Sequence, residues 1–272
     1  MKKTIIILFL LLGQCSMFNF QCSMAYAQDL YIGSFYVTST TEESQFGDGN
    51  DKWSKRMPII YDMFNFEQPD VLGLQSLTET QLTSLSKRMT NYLLAGDILY
   101  NKTLQLDTCG IVTELPEGST CSWARLQKDG KPFYVFNMCI STVLADAITS
   151  VVRIRSVITE INPGNLPCFA VGFLGSDETK SAYTRIVAKF NDSYTQAPAN
   201  SVSADYGTVN NFDLENNHAS SRYDFVFVPK TKIKVKAYAQ LEYAYYTQET
   251  DGTYKRRLPS THFPVMAKVT LE

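Results

Sequence analysis

The chain has two histidines, His218 and His262. His262 is the better placed for chemistry. It sits in Pro259-Ser-Thr-His-Phe-Pro-Val265, where a Pro-bounded turn gives way to alternating apolar residues that run to Leu271. Histidine changes charge near neutral pH, so it can move protons or stabilise anions if other groups come to meet it. His218 lies in a long polar segment and reads as an exposed loop residue. Cysteine offers less. Cys109, Cys121, Cys139 and Cys168 remain once a leader is removed, and no Cys-x-x-Cys pair exists, which argues against zinc. Cys109 and Cys121 flank the turn Leu115-Pro-Glu-Gly-Ser119 and could face each other across two strands. A disulfide there and four buried thiols are the two readings.

Bulk properties narrow the classes. The formal charge of -2 and a pI near 5.8 leave no electrostatic footprint for nucleic acid. With 44% hydrophobic residues, 16 Tyr and 16 Phe, one sizeable core is feasible. Residues 1–27 have the pattern of a signal peptide. Lys2 and Lys3 precede a short apolar run, and Ala25-Tyr26-Ala27 offers a cleavage site before Gln28. That run is too short to span a bilayer, which takes about 20 residues. A lipoprotein signal at Cys15 is disfavoured by the bulky Gln14. The expectation is an exported, monomeric protein, periplasmic or extracellular, with one domain over 28–272.

The elements that must position His262 follow from periodicity and turn signals. Strands are expected at Leu30–Val37, Asp70–Gln75, Tyr92–Ala95, Ile98–Tyr100, Leu104–Thr113, Cys121–Leu126, Pro132–Ile140, Pro167–Gly172, Tyr223–Val228, Lys232–Tyr246 and His262–Leu271. Thr38–Asp51 reads as a polar loop. Asp51 could cap a helix over Lys52–Glu67, with Ile59, Ile60, Met63 and Phe66 on one face. Thr78 caps a second helix. The strongest helical pattern is Leu144, Ile148, Val151, Ile154, Ile158 and Ile161, and a fourth helix is expected over Glu178–Phe190. Asn191–Ser221 reads as loop, and Asp251-Gly252 as a hairpin tip. Mixed strands and helices in this order fit two packed sheets with helices outside them.

At this point the chain resembles the endonuclease/exonuclease/phosphatase superfamily, most closely its secreted bacterial members. Seven landmarks occur in the right order: Gly47-Asp-Gly-Asn-Asp-Lys-Trp-Ser-Lys-Arg56, Gln68-Pro-Asp-Val-Leu-Gly-Leu-Gln75, Cys121-Ser-Trp-Ala-Arg-Leu126, Phe133-Tyr-Val-Phe-Asn137, Gly207-Thr208 with Phe212, Arg222-Tyr-Asp-Phe-Val-Phe-Val228, and Pro259-Ser-Thr-His-Phe-Pro-Val265. The resemblance implies a four-layer αββα sandwich (DNase I-like) of two mixed, mainly antiparallel sheets flanked by helices. It also implies divalent-metal-assisted phosphoester hydrolysis, with Mg²⁺ held by hard oxygen ligands.

The resemblance fails at the working positions. Tyr36 stands where the family has Asn at the end of the first strand. Ser76 stands where it has its metal-binding Glu. Asn137 begins the family's Thr-His-Leu-Asp stretch, but Cys139 replaces the His and Ser141 the Asp. The family's Gly-Asp-x-Asn is here Gly172-Phe173-Leu174-Gly175, and Thr261 replaces the Asp before the last His. Asp224, which in the family orients the catalytic His, is kept with His262. Hydroxyls and a thiol are poor substitutes for carboxylates on Mg²⁺. Asp177, Glu178 and Glu79 are candidate relocated carboxylates, although each reads more simply as a helix N-terminal charge.

The expectation is a pseudoenzyme with a vestigial Asp224–His262 pair, no metal, and an aromatic cleft suited to a small molecule or glycan. Tyr238, Tyr243, Tyr245 and Tyr254 are candidates for sugar stacking. The alternatives are an active hydrolase that uses relocated ligands with Mg²⁺, and a structural or partner-binding surface protein. The short connection between Ala95 and Ile98 should leave the cleft more open on that side.

Overall fold

The computed structural model describes residues 28–204, 207–213 and 221–272. The expected signal peptide and His218 lie outside these residues. In chain order the elements are β1 (Gln28–Tyr36), α1 (Thr40–Phe46), α2 (Trp53–Glu67), β2 (Val71–Gln75), α3 (Glu79–Arg88), β3 (Tyr92–Ala95), β4 (Ile98–Asn101), β5 (Gln105–Ile111), β6 (Thr120–Lys128) and β7 (Lys131–Cys139). They continue with α4 (Leu144–Ile161), β8 (Cys168–Phe173), α5 (Ser181–Val187), β9 (Asn191–Asp192), α6 (Ser193–Gln196), β10 (Val202–Ser203), β11 (Asp224–Val228), β12 (Ile233–Gln240), β13 (Tyr245–Gln248), β14 (Tyr254–Arg257) and β15 (Val265–Leu271).

The strands form a seven-stranded sheet, β10-β12-β15-β1-β2-β4-β3, a six-stranded sheet, β5-β6-β7-β8-β11-β9, and a separate β13-β14 hairpin. Both large sheets are mixed. β1 runs parallel to β2, β10 to β12 and β7 to β8, and the remaining pairs are antiparallel. Three apolar clusters define the layers. Ile32, Val71, Val265, Phe133, Phe169 and Val226 fill the space between the sheets. Val151, Ile154 and Ile158 of α4 pack on the outer face of the six-stranded sheet, against Phe136 and Phe225. Ile60, Met63 and Phe64 of α2 and Leu85 of α3 pack on the other sheet, against Phe35 and Leu72. This is the expected α/β sandwich with flanking helices.

Several local expectations need correction. The polar stretch after β1 contains α1, which starts at a capping box in which Ser39 and Glu42 hold each other's backbone N–H. The N-cap of α2 is Lys52 rather than Asp51, and its buried stripe is Arg56, Ile60, Met63 and Phe64, with Phe66 78% exposed. The helix expected over Glu178–Phe190 spans only Ser181–Val187. Among the described residues of 191–221, short strands and helical turns occur over 191–203, and the strand expected over Lys232–Tyr246 ends at Gln240.

Cys109 and Cys121 are free thiols. Cys109 lies opposite Ala124 and Ile111 opposite Ser122, so Cys121 falls at the level of Val112. An offset of three residues along a strand also puts two side chains on opposite faces. Cys121 is buried beneath α4, whereas Cys109 is exposed.

Candidate functional site: a cleft closed by its own side chains

One end of the sandwich gathers the ends of β1, β2, β7 and β8, the start of β11 and the turn before β15. Parallel pairing sets Tyr36 beside Gln75, and Cys139 beside Phe173. Antiparallel pairing sets Asp224 beside Phe173. A lone bridge between Val209 and His262 fixes the last turn. The structure therefore brings Tyr36, Ser76, Cys139, Phe173, Asp224, Thr261 and His262 to one end of the molecule.

His262 is buried, and its Nδ1 lies 2.8 Å from Asp224 Oδ2. Thr208 Oγ1 donates to the same carboxylate oxygen at 2.6 Å, and accepts the backbone N–H groups of Tyr223 and Asp224. The other Asp224 oxygen is buried and has no hydrogen-bond partner among the described residues. Aromatic rings enclose the imidazole. Tyr36 stacks on it at 4.1 Å between centroids, and Phe173 meets it edge-on at 5.4 Å. Phe173 also packs edge-on against Tyr36 at 5.1 Å. Tyr36 and Phe173 thus cover His262 from two sides.

A second carboxylate, Glu42 from α1, also reaches this end. Tyr36 Oη and Ser76 Oγ donate to its two oxygens, and Ser39 donates through its N–H at 2.8 Å and its Oγ at 2.9 Å. Burial pushes the Glu42 carboxyl up, but the hydrogen bonds from Ser76, Tyr36 and Ser39 together outweigh it and hold the group below its ordinary value. Ser39-x-x-Glu42 is a capping-box pattern, so the signal for α1 lay in the sequence. The arrival of its N3 carboxylate at Ser76 depends on tertiary packing. Asp177, Glu178 and Glu79 do not join the site. Asp177 accepts from Thr179, Glu178 accepts the Arg222 N–H at 2.8 Å, and Glu79 sits in the first turn of α3.

The remaining positions serve the fold. Asn137 is buried between the sheets, where it accepts from Gln75 Nε2 at 2.6 Å and donates to Leu74 O at 2.8 Å. Thr261 and Thr38 share a hydroxyl contact of 2.6 Å, and Thr38 holds a left-handed backbone (φ 70°). Burial pushes the Cys139 thiol up to about 12, and nearby Glu42 adds to this, so the free thiol stays neutral at pH 7. Ser141 Oγ accepts the Val143 N–H ahead of α4. Gly175 packs directly on the Ile140–Ser141 backbone.

The donor set does not fit Mg²⁺. The Glu42 carboxylate already accepts four hydrogen bonds from Tyr36, Ser76 and Ser39, and the Asn137 amide is committed between the sheets. No group of three or more His, Cys, Asp or Glu side chains that could hold a metal occurs among the described residues.

Glu42 supplies a direct test. A carboxyl with a depressed folded pKa stabilises the fold fully above its ordinary value of 4.5, and loses that contribution as pH falls through the lower folded value. Glu42→Gln is expected to cost about 1–2 kcal/mol at pH 7, as lost charge-assisted hydrogen bonds do. The difference from wild type should shrink below pH 4.5. Urea midpoints measured from pH 7 to pH 3 check this, and a pH-independent difference would contradict it.

The aromatic surface expected on the last strands is only partly present. Tyr238 and Tyr245 are buried, and Tyr243 donates to Glu67 at 3.1 Å. Tyr254 is 68% exposed, and the other exposed tyrosine of the hairpin is Tyr246.

No family model matches the sequence, and no curated protein matches it. Solved structures do. An endonuclease/exonuclease/phosphatase family protein from Bacteroides thetaiotaomicron is 24% identical, with a TM-score of 0.81 over 90% of this chain and 99% of that one. A mannosyl-6-phosphatase from the same organism is 25% identical, with a TM-score of 0.79 over 88% and 99%. A Bacteroides vulgatus endonuclease/exonuclease/phosphatase protein is 18% identical, with a TM-score of 0.75 over 90% and 100%. Two mixed sheets between helical layers, these matches over nearly the whole chain and the ordered landmarks agree: the chain has the fold of the endonuclease/exonuclease/phosphatase superfamily.

Proposed function

We propose that this protein keeps a phosphoesterase-type fold but has given up metal-assisted phosphoester hydrolysis. The observation that carries the proposal is the Tyr36–His262 stack, backed by Glu42. The position of the lost metal carboxylate is now a hydroxyl, Ser76, that donates to a carboxylate from another element. The histidine that would steady phosphoryl oxygens lies under a tyrosine ring. The retained Asp224–His262 pair then holds the last turn in place.

Isothermal titration of residues 28–272 with Mg²⁺ and Mn²⁺ is expected to show no saturable binding at millimolar concentrations. Bis-p-nitrophenyl phosphate, p-nitrophenyl phosphate and mannose 6-phosphate should go unhydrolysed in either metal. Metal binding lost in Glu42→Gln, together with turnover lost in His262→Ala, would replace this reading with that of a hydrolase whose metal ligand has moved to α1.

A further inference from the structure

With the ancestral cleft filled, the concave surfaces elsewhere gain interest. One of about 360 Å³ opens where the C-terminal ends of α2 and α3 meet β3 and β4. Its volume lies in the range of small-molecule sites, about 300–1,000 Å³. None of its lining residues belongs to the Tyr36–His262 cluster. Asn65, Gln68 and Asn91 present carboxamides, Lys102 an ammonium, and Tyr61 and Tyr92 aromatic surface.

The chemistry is selective. No carboxylate lines the concavity. The side chains of Asn65, Gln68 and Asn91 make no hydrogen bond within the described residues. Each carboxamide offers two donors and an acceptor, which matches hydroxyl groups that both donate and accept. The C-terminal ends of α2 and α3 border the site, and their partial negative charge offsets the Lys102 ammonium, which leaves little net attraction for an anion. The tyrosines are already held in place. Arg88 covers one face of Tyr61 at 4.9 Å, and Tyr92 donates to Pro69 O at 2.9 Å. Preformed aromatic surface beside unspent carboxamides lowers the ordering cost of binding.

We propose that this concavity binds a neutral, hydroxyl-rich ligand of the saccharide class, with the carboxamides of Asn65, Gln68 and Asn91 reading hydroxyls and Tyr61 packing against a C–H face. The proposal does not depend on whether the ancestral cleft is catalytic. Asn65 and Asn91 are exposed, so removing their amides leaves the core intact.

Saturation-transfer NMR with D-mannose, D-galactose, N-acetyl-D-glucosamine and maltose, run against residues 28–272, tests it. At least one probe is expected to bind with a Kd of about 1 mM or tighter, to weaken about tenfold or more in Asn65→Ala/Asn91→Ala, and to be unchanged in His262→Ala. Inorganic phosphate should not displace it. The proposal is overturned if no probe binds, if the double variant binds as wild type does, if His262→Ala abolishes binding, or if phosphate competes.

Discussion

Gly175→Asn, which installs the residue type that the family resemblance implies at that position, will destabilise the protein by about 3 kcal/mol and, under the proposed loss of activity, yield no hydrolysis. A Cβ at Gly175 would lie 2.1 Å from Ser141 O and 2.6 Å from Ile140 O. Both contacts are with backbone, so no rotamer change relieves them. The left-handed conformation at Gly175 (φ 68°) is one that asparagine tolerates, so the cost comes from the contact and not from the dihedral. Gly252→Asn is the matched control. Its φ is 85°, it faces open space, and its substitution should shift the urea midpoint little. Equal midpoints for the two variants would show that the Ile140–Ser141 segment yields, and that the cleft could be rebuilt from its present backbone.

Under the proposed loss of hydrolysis, the expected result means that the site is closed and not merely short of ligands. Replacing a metal ligand leaves a vacancy that a single reversion can refill. Here the backbone after β7 lies directly on Gly175. The Glu42 carboxylate accepts from Ser76, and the Tyr36 ring lies over His262. Each change removes room or charge that the others would need, so restoring one position restores nothing.

What could be read in the sequence divides along physical lines. Apolar alternation and the spacing in α4 identified the strands, the best helix and the layered class, because burial imposes those periods. The pairing partner of His262 came from aligned landmarks, and the structure puts the two side chains in hydrogen-bond contact. Glu42 was missed although its capping-box signal was local, because a cap announces a helix start and not where its carboxylate will lie. The Cys109–Cys121 pairing failed on register, which a loop of unknown conformation sets. A bulge between Leu106 and Thr108 shifts it again. Arg56 could not be read at all. A charged residue on an amphipathic helix reads as surface, and only the structure shows it fully buried.

That arginine carries the other large expected effect. Arg56→Ala will cost about 3–5 kcal/mol, the scale for removing one partner from a buried charge pair. All five guanidinium N–H donors are spent. Nε donates to Asp51 O at 2.7 Å, one terminal nitrogen to Val37 O and Pro259 O at 2.8 Å each, and the other to Thr38 O at 3.0 Å and Glu43 Oε2 at 2.7 Å. One side chain thus ties α2 to the end of β1, to α1 and to the turn that carries His262. Trp53 and Phe212 flank it, with ring centroids 5.6 and 5.5 Å from the guanidinium carbon. Alanine would strand the Glu43 carboxylate and take a donor from four carbonyl oxygens, of which, among the described residues, Thr38 O alone keeps another, from Gln81 Nε2. Lysine should recover little, because an ammonium cannot span five acceptors arranged for a planar fork. Urea unfolding of Arg56→Ala, Arg56→Lys and Arg56→Ala/Glu43→Gln checks the account. The double variant should be less damaged than Arg56→Ala, since it removes the stranded charge. A loss below about 1 kcal/mol in Arg56→Ala would place it among surface ion pairs and contradict the buried network.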